Sequence, residues 1–408
     1  MTKVSLRGGR LTVPLATTAA YYIAFIGLGL VSASLGPTLP ALRELTGVSL
    51  SEISYLITAR SVGYLGGSII GGQLYDRLRG HPLFFGFGLL TVAMLALTPT
   101  ISLLWLLVAV MVLTGIGQGV IDLGGNTMLV WVHRERVDPY MNGLHFIWGV
   151  GAFLGPVLVA QLLLWANDLR WAYWALALLV FLSLLWIVRL PSPQPVVEEN
   201  GEGQREKVGL LVALITIFFF CIIGVEVAYA GWITTYAVEL EMLDEINAAY
   251  LASALFGALT VARLVGIPLA ARFTPTQILV GDLILCLVSL GLVLLFPQSV
   301  ILCLVSLGLV LLFPQSVAIL WVGTIGLGAG MASLFPSMLA WVQKRATLSG
   351  KTTSWFFVGG SLGGMVVPWW IGQLFESIGP GFLIWVSFGA MALTLLLVMG
   401  LARRFLVR

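Results

Sequence analysis

Three polar side chains recur at four-residue intervals inside one apolar run: Gln118, Asp122 and Asn126, in Gly115-Ile-Gly117-Gln118-Gly119-Val-Ile-Asp122-Leu-Gly124-Gly125-Asn126. On a helix this spacing puts them on one face. Amides flanking a carboxylate can hydrogen-bond a polyhydroxy solute, and the carboxylate can take up a proton or a metal cation. The structural alternative is a carboxylate neutralised by Arg60, which stands inside another apolar run. A second acid, Glu226, sits one turn before Tyr229 in Gly224-Val-Glu226-Val-Ala-Tyr229-Ala-Gly231-Trp232. It either joins Asp122 in coupling or neutralises Arg263, the other arginine within an apolar run. Counted this way, two arginines match two carboxylates.

Other candidates are weaker. Asn142, His145 and Trp148 share one helical side in Asn142-Gly-Leu-His145-Phe-Ile-Trp148. Histidine can hydrogen-bond a sugar or titrate, and an indole can stack on the apolar face of a sugar ring; both can equally be packing residues. Tyr229, Trp232 and Trp355 are candidate binding residues, the last by type alone. The segment Gly72-Gln-Leu-Tyr-Asp76-Arg77-Leu-Arg79-Gly80-His81 places Asp and Arg charges after a glycine that permits close helix packing. Such charges can latch neighbouring helices, or simply form a basic loop.

These groups need elements that hold them in an unusual solvent. Of 408 residues, 59% are hydrophobic and 10% charged, against roughly 25% charged in a soluble protein. So few charges cannot clothe a soluble surface, and the bilayer must solvate most of the chain. Spanning helices need about 20 mainly apolar residues. Twelve such runs are predicted, at 12–40, 52–75, 83–101, 103–132, 141–166, 170–190, 208–238, 247–271, 276–296, 317–342, 352–376 and 380–402. The first is followed by many others, which distinguishes it from a cleavable signal peptide. The polar segment 191–207 divides six runs from six, so the reading is an all-α membrane protein. It comprises an N-terminal six-helix bundle (1–190), a cytoplasmic linker (191–207) and a C-terminal six-helix bundle (208–408).

Lysine and arginine set the orientation. With the N-terminus inside, cytoplasmic segments hold 17 of them and outside segments only Arg43 and Arg170. Both termini are therefore expected in the cytoplasm. The halves also repeat. Gly29, Gly36 and Arg77 recur as Gly224, Gly231 and Arg272, each 195 positions later, and Gly151 and Pro156 recur as Gly363 and Pro368, each 212 later. The offset grows by 17 because ILCLVSLGLVLLFPQSV at 284–300 is repeated without change at 301–317. That extra copy is too short to span, so it is expected to lengthen the hairpin after the ninth run or to lie re-entrant. Parallel six-helix halves are a transporter plan.

Enzyme chemistry finds no support: there is no P-loop, no Ser/His/Asp arrangement in a loop, and Cys221, Cys286 and Cys303 lie in apolar runs without metal spacing. A net charge of +3 with scattered charges gives no nucleic-acid footprint. The segments SLGPTLPAL (34–42), GVIDLGGN (119–126), NGLHFIWGVGAFLGP (142–156), GVEVAYAGW (224–232), ARLVGIPLAARF (262–273) and SLFPSMLAW (333–341) resemble the fucose permease family of the major facilitator superfamily. Within it, they are most similar to the branch of the sodium-dependent glucose transporter type 1 proteins. The resemblance implies twelve transmembrane helices in two pseudo-symmetric bundles, and a gating loop at Gly72, Asp76, Arg77 and Arg79. It also implies a coupling acid at Asp122, with Asn126 and the 142/145/148 positions lining the pocket. The family's aspartate in the first span is replaced here by Gly36.

The expectation is a monomeric, multi-pass protein of the bacterial inner membrane, bathed in lipid. It would move a monosaccharide such as glucose or fucose together with a proton or Na⁺ by alternating access, with no other cofactor. An exporter of amphipathic drugs or metabolites, and a non-transporting sensor, are the competing expectations.

Overall fold

The computed structural model describes residues 13–194, 209–270, 272–295, 317–343 and 350–405. The expectations for the linker beyond Gln194 and for the second copy of the duplicated segment fall outside these residues. The chain divides into two compact units, Met1–Gln204 and Arg205–Arg408.

The first unit comprises α1 (Val13–Thr46), a single turn α2 (Leu50–Ile53), α3 (Tyr55–Tyr75), α4 (Gly80–Leu97), α5 (Leu104–His133), α6 (Asp138–Ala166) and α7 (Leu169–Leu184). The second comprises α8 (Gly209–Glu239), α9 (Glu245–Ala270), α10 (Pro275–Leu295), α11 (Val317–Met331), α12 (Leu334–Gln343), α13 (Gly350–Ile378) and α14 (Phe382–Phe405). Helices α11 and α12 are two parts of one apolar stretch, so twelve long helical segments correspond to the twelve predicted runs. Among the described residues, ten are long and apolar enough to cross a membrane. The remaining two, α3 and α13, are the glycine-rich ones, whose composition lowers their hydropathy. They pack most extensively against α5 and α8 respectively.

Glycine explains how these helices meet. In lipid, close packing rather than apolar burial drives helices together, and small residues let backbones approach. A methyl group at Gly29 would overlap the α6 backbone at Trp148, and one at Gly151 would overlap the Ile26 carbonyl of α1. Their repeat partners behave alike: Gly224 lies against Val367 and the Gly363 carbonyl of α13, and Gly363 against the Phe220 carbonyl of α8. The repeat is thus a repeated helix contact. Between α3 and α5 the fit is reciprocal. Gly63 and Gly67 lie on the carbonyls of Val112 and Ile116, while Gly115 and Gly119 lie on those of Arg60 and Tyr64.

The repeat extends to a helix start. Ser49 caps α2 by accepting from the Glu52 N–H at 3.2 Å, and Glu52 accepts in return from the Ser49 N–H at 2.9 Å. The equivalent pair 195 positions later is Asp244 and Asn247. There the Asn247 N–H and side-chain amide donate to the two Asp244 oxygens at 2.9 and 2.6 Å. These bonds from Asn247, backbone first, hold the Asp244 carboxyl below its ordinary range. The cap is at full strength at neutral pH and weakens as acid protonates it.

Adjacent glycines supply an internal control. No atom lies within 4 Å of a methyl group added at Gly66, whereas one at Gly67 strikes the α5 backbone. Gly67→Ala is expected to lose about 1–3 kcal/mol by overpacking, while Gly66→Ala stays within about 1 kcal/mol of the parent. Unfolding curves in mixed micelles measure both.

Candidate functional site

The α3–α5 contact positions the first cluster. Because the two backbones touch at Gly115 and Gly119, a side chain on the α3 groove can cross to α5. Tyr64 does so, and its hydroxyl donates to the Asp122 carboxylate. Asn126, one turn further along α5, donates its amide to Asp122 Oδ1 at 3.1 Å and to the Asp122 carbonyl at 2.8 Å. A carboxylate offers about four acceptor positions, so this half-buried group retains capacity for a further donor or a cation.

Gln118 lies one turn before Asp122 on the same face. It is 2% exposed, and its buried amide nitrogen has no acceptor. An unsatisfied buried donor costs about 1–3 kcal/mol. Such groups recur where a ligand completes the bonding.

Arg60 turns elsewhere. Its Nη1 donates to the carbonyls of Ser32 at 2.8 Å and Val31 at 3.4 Å on α1. Prolines at 37 and 40, further along α1, remove the donors for the carbonyls of Ala33 and Gly36. Tyr173, held by Thr38 at 2.9 Å, lies near enough for its hydroxyl to feel the Arg60 charge. Asp122 therefore takes its donors from Tyr64 and Asn126, while Arg60 braces α1.

On α6, Asn142 and His145 are exposed and Trp148 is half-buried. Trp355 is 54% exposed on α13. Tyr229 and Trp232 are both fully buried. The Tyr229 hydroxyl pairs with Thr324 at 2.9 Å, and the Trp232 indole donates to the Pro368 carbonyl at 2.9 Å while stacking on Phe375. Their polar atoms are already engaged within the unit, and they tie α8 to α11 and α13. Glu226 and Arg263 attract each other across the second unit, and Arg263 Nε donates to the Ala332 carbonyl at 3.4 Å. At the end of α3, Gly72 is half-buried, whereas Asp76, Arg77 and Arg79 are exposed. No ion pair joins these charges to a side chain among the described residues.

Several polar side chains that organise these clusters escape the sequence reading. Tyr64 carries the key bond to Asp122. Its signal is the four-residue glycine spacing at 63, 67 and 71 facing that at 115 and 119. His81, placed by sequence in a polar loop, is 2% exposed inside α4. Its Nδ1 meets the Leu190 carbonyl at 2.9 Å and its Nε2 the Tyr21 hydroxyl at 2.8 Å. A carbonyl only accepts, so Nδ1 bears the proton and Nε2 accepts from Tyr21. The ring ties α1 and α4 to the chain leaving the first unit. Asp282, inside α10, is a third carboxylate within a span, and it upsets the two-against-two charge count.

The Tyr64–Asp122 bond is open to a thermodynamic cycle. Tyr64→Phe and Asp122→Asn should be non-additive, with an interaction energy of about 0.5–3 kcal/mol. Unfolding of the two single variants and the double variant measures it.

Comparisons with known proteins agree with this architecture. The model of the Major Facilitator Superfamily matches residues 21–368. Sodium-dependent glucose transporter 1 of Xenopus laevis is 31% identical over 381 residues, covering 86% of this chain and 74% of that protein. The Homo sapiens protein of that name is 28% identical over 391 residues, covering 86% and 72%. Among solved structures, a point mutant of the nucleoside transporter NupG superposes with a TM-score of 0.72 at 12% identity, covering 97% of this chain and all of that one. At that identity it attests the fold alone. Twelve long helical segments, a repeated glycine contact and a match over most of the chain converge on one conclusion. The chain belongs to the Major Facilitator Superfamily, on the branch of the sodium-dependent glucose transporter 1 proteins, and is a multi-pass membrane transporter of a small molecule rather than an enzyme.

Proposed function

We propose that this protein is a cation-coupled symporter of a monosaccharide such as glucose or fucose, working by alternating access. The observation that carries the reading is the α5 face: a half-buried Asp122 with spare acceptor capacity, one turn from the unpaired amide of Gln118. The names of the sodium-dependent glucose transporter relatives favour a sugar and a cation.

The physical argument is differential solvation. An ionised carboxylate at membrane depth costs at least about 2.5 kcal/mol on insertion scales. Neutralising Asp122 with a proton or Na⁺ removes that cost. Conformations that dry the site are then favoured only once the cation is loaded. Gln118 and Asn126 would hold sugar hydroxyls beside it, and Asn142, His145 and Trp148 would extend the pocket. Asp76, Arg77 and Arg79 would act as gating charges. From the 17-to-2 distribution of Lys and Arg we place both termini in the cytoplasm, with the protein a monomer in a bacterial inner membrane.

Uptake in proteoliposomes tests this. Asp122→Asn should abolish accumulation above equilibrium yet spare sugar exchange; undiminished concentrative uptake would remove Asp122 from the coupling role. Gln118→Ala should raise the sugar KM about tenfold, the equivalent of 1.4 kcal/mol, with the cation dependence unchanged. Nucleosides belong in the same screen because their ribose presents similar hydroxyls.

A further inference from the structure

One span of the C-terminal unit is jointed. The apolar stretch Val317–Val342 is continuous in sequence but divided in structure, with α11 ending at Met331 and α12 beginning at Leu334. The cause is Pro336, in the first turn of α12. Proline has no N–H, and its ring crowds the carbonyl four residues earlier, which is that of Ala332. Two residues, Ala332 and Ser333, are left outside both helices.

Each of the two is held by a different neighbour. The Ala332 carbonyl accepts from Arg263 Nε of α9 at 3.4 Å, and the Ser333 hydroxyl donates to Asp282 of α10. Glycine brings both neighbours in. A methyl group at Gly328 would overlap the Leu255 carbonyl of α9, and one at Gly330 would overlap the Asp282 carbonyl of α10. Helical side chains lean toward the N-terminus of their helix. Arg263, two turns beyond Leu255, therefore reaches back to Ala332, one turn beyond Gly328. A methyl group at Gly266 would lie 4.0 Å from Ser333 Cβ, so α9 also passes the joint itself.

Arg263 has two calls on its charge. It is attracted to Glu226 of α8, yet no direct ion pair joins the two among the described residues, and its Nε is given to the Ala332 carbonyl. A backbone carbonyl without a donor is costly at membrane depth. Arg263 removes that cost at the point where the helix ladder is interrupted. An interrupted helix bends most readily there, and hinges are a few residues at the ends of elements.

We propose that the α11–α12 joint is a hinge in the tenth span of this transporter and that Arg263 is its latch, the guanidinium standing in for the N–H that Pro336 lacks. While the bond to Ala332 holds, the joint is stiff; when it breaks, the two parts of the span swing about residues 332 and 333. The assignment needs neither the sugar nor the cation of the proposed function, so its failure would leave the results for Asp122→Asn as they stand.

Hydrogen–deuterium exchange of the purified full chain in detergent, read by mass spectrometry on peptides spanning 329–343, reports opening of the joint. Arg263→Gln should exchange about tenfold faster there than wild type. Pro336→Ala restores the missing N–H, so the same Arg263→Gln change in that background should alter exchange less than about twofold. Glu226→Gln should keep the joint protected. The latch is overturned if Arg263→Gln leaves exchange at the joint unchanged, or speeds it equally with and without Pro336. It is also overturned if Glu226→Gln loosens the joint as much as Arg263→Gln, which would make Arg263 a charge partner only. Should Arg263→Gln fail to fold, the double variant with Pro336→Ala must fold; failure of both overturns the assignment.

Discussion

The contact of one helix backbone with another, through glycine, is the constraint on which the rest depends. Lipid gives no hydrophobic reward for helix association, so helices must gain their contacts at close range. At Gly63, Gly67, Gly115 and Gly119 the α3 and α5 backbones touch. Only at that separation does a tyrosine on α3 reach a carboxylate on α5. The Tyr64–Asp122 bond is thus a consequence of four absent side chains, and the polarity of the site follows from the packing around it.

The same device serves different ends in the two units. The α1–α6 and α8–α13 contacts repeat with their glycines, and so does the helix cap at 49/52 and 244/247. The chemistry does not repeat. In the first unit a buried amide and a carboxylate share one intact helix face. In the second, Pro336 divides a span, and Asp282 meets the hydroxyl at the break. Duplicated scaffolds can diverge in this way because packing depends on small residues at the seams, whereas chemistry depends on a few polar residues elsewhere.

The arginines show how charge is managed away from water. Neither Arg60 nor Arg263 forms a direct ion pair with a carboxylate among the described residues. Each donates to backbone carbonyls, Arg60 to those of Ser32 and Val31 on α1, and Arg263 to that of Ala332, four residues before Pro336. At Ala332 the guanidinium takes the place of the N–H that Pro336 lacks. This leaves the carboxylates less constrained than a simple count of opposite charges implies.

The sequence by itself determined the solvent, the twelve helical segments, the internal repeat and the α5 polar face. Each follows from composition or from a periodicity along a single helix, so no partner need be known. Gln118, Asp122 and Asn126 were legible for that reason. What only the tertiary structure decided was who meets whom: that Tyr64 rather than Arg60 bonds Asp122, that Trp232 and Tyr229 are consumed by packing, that His81 is buried, and that Ser333 faces Asp282. Those outcomes depend on distances between helices, which are set jointly by glycines and prolines on different segments.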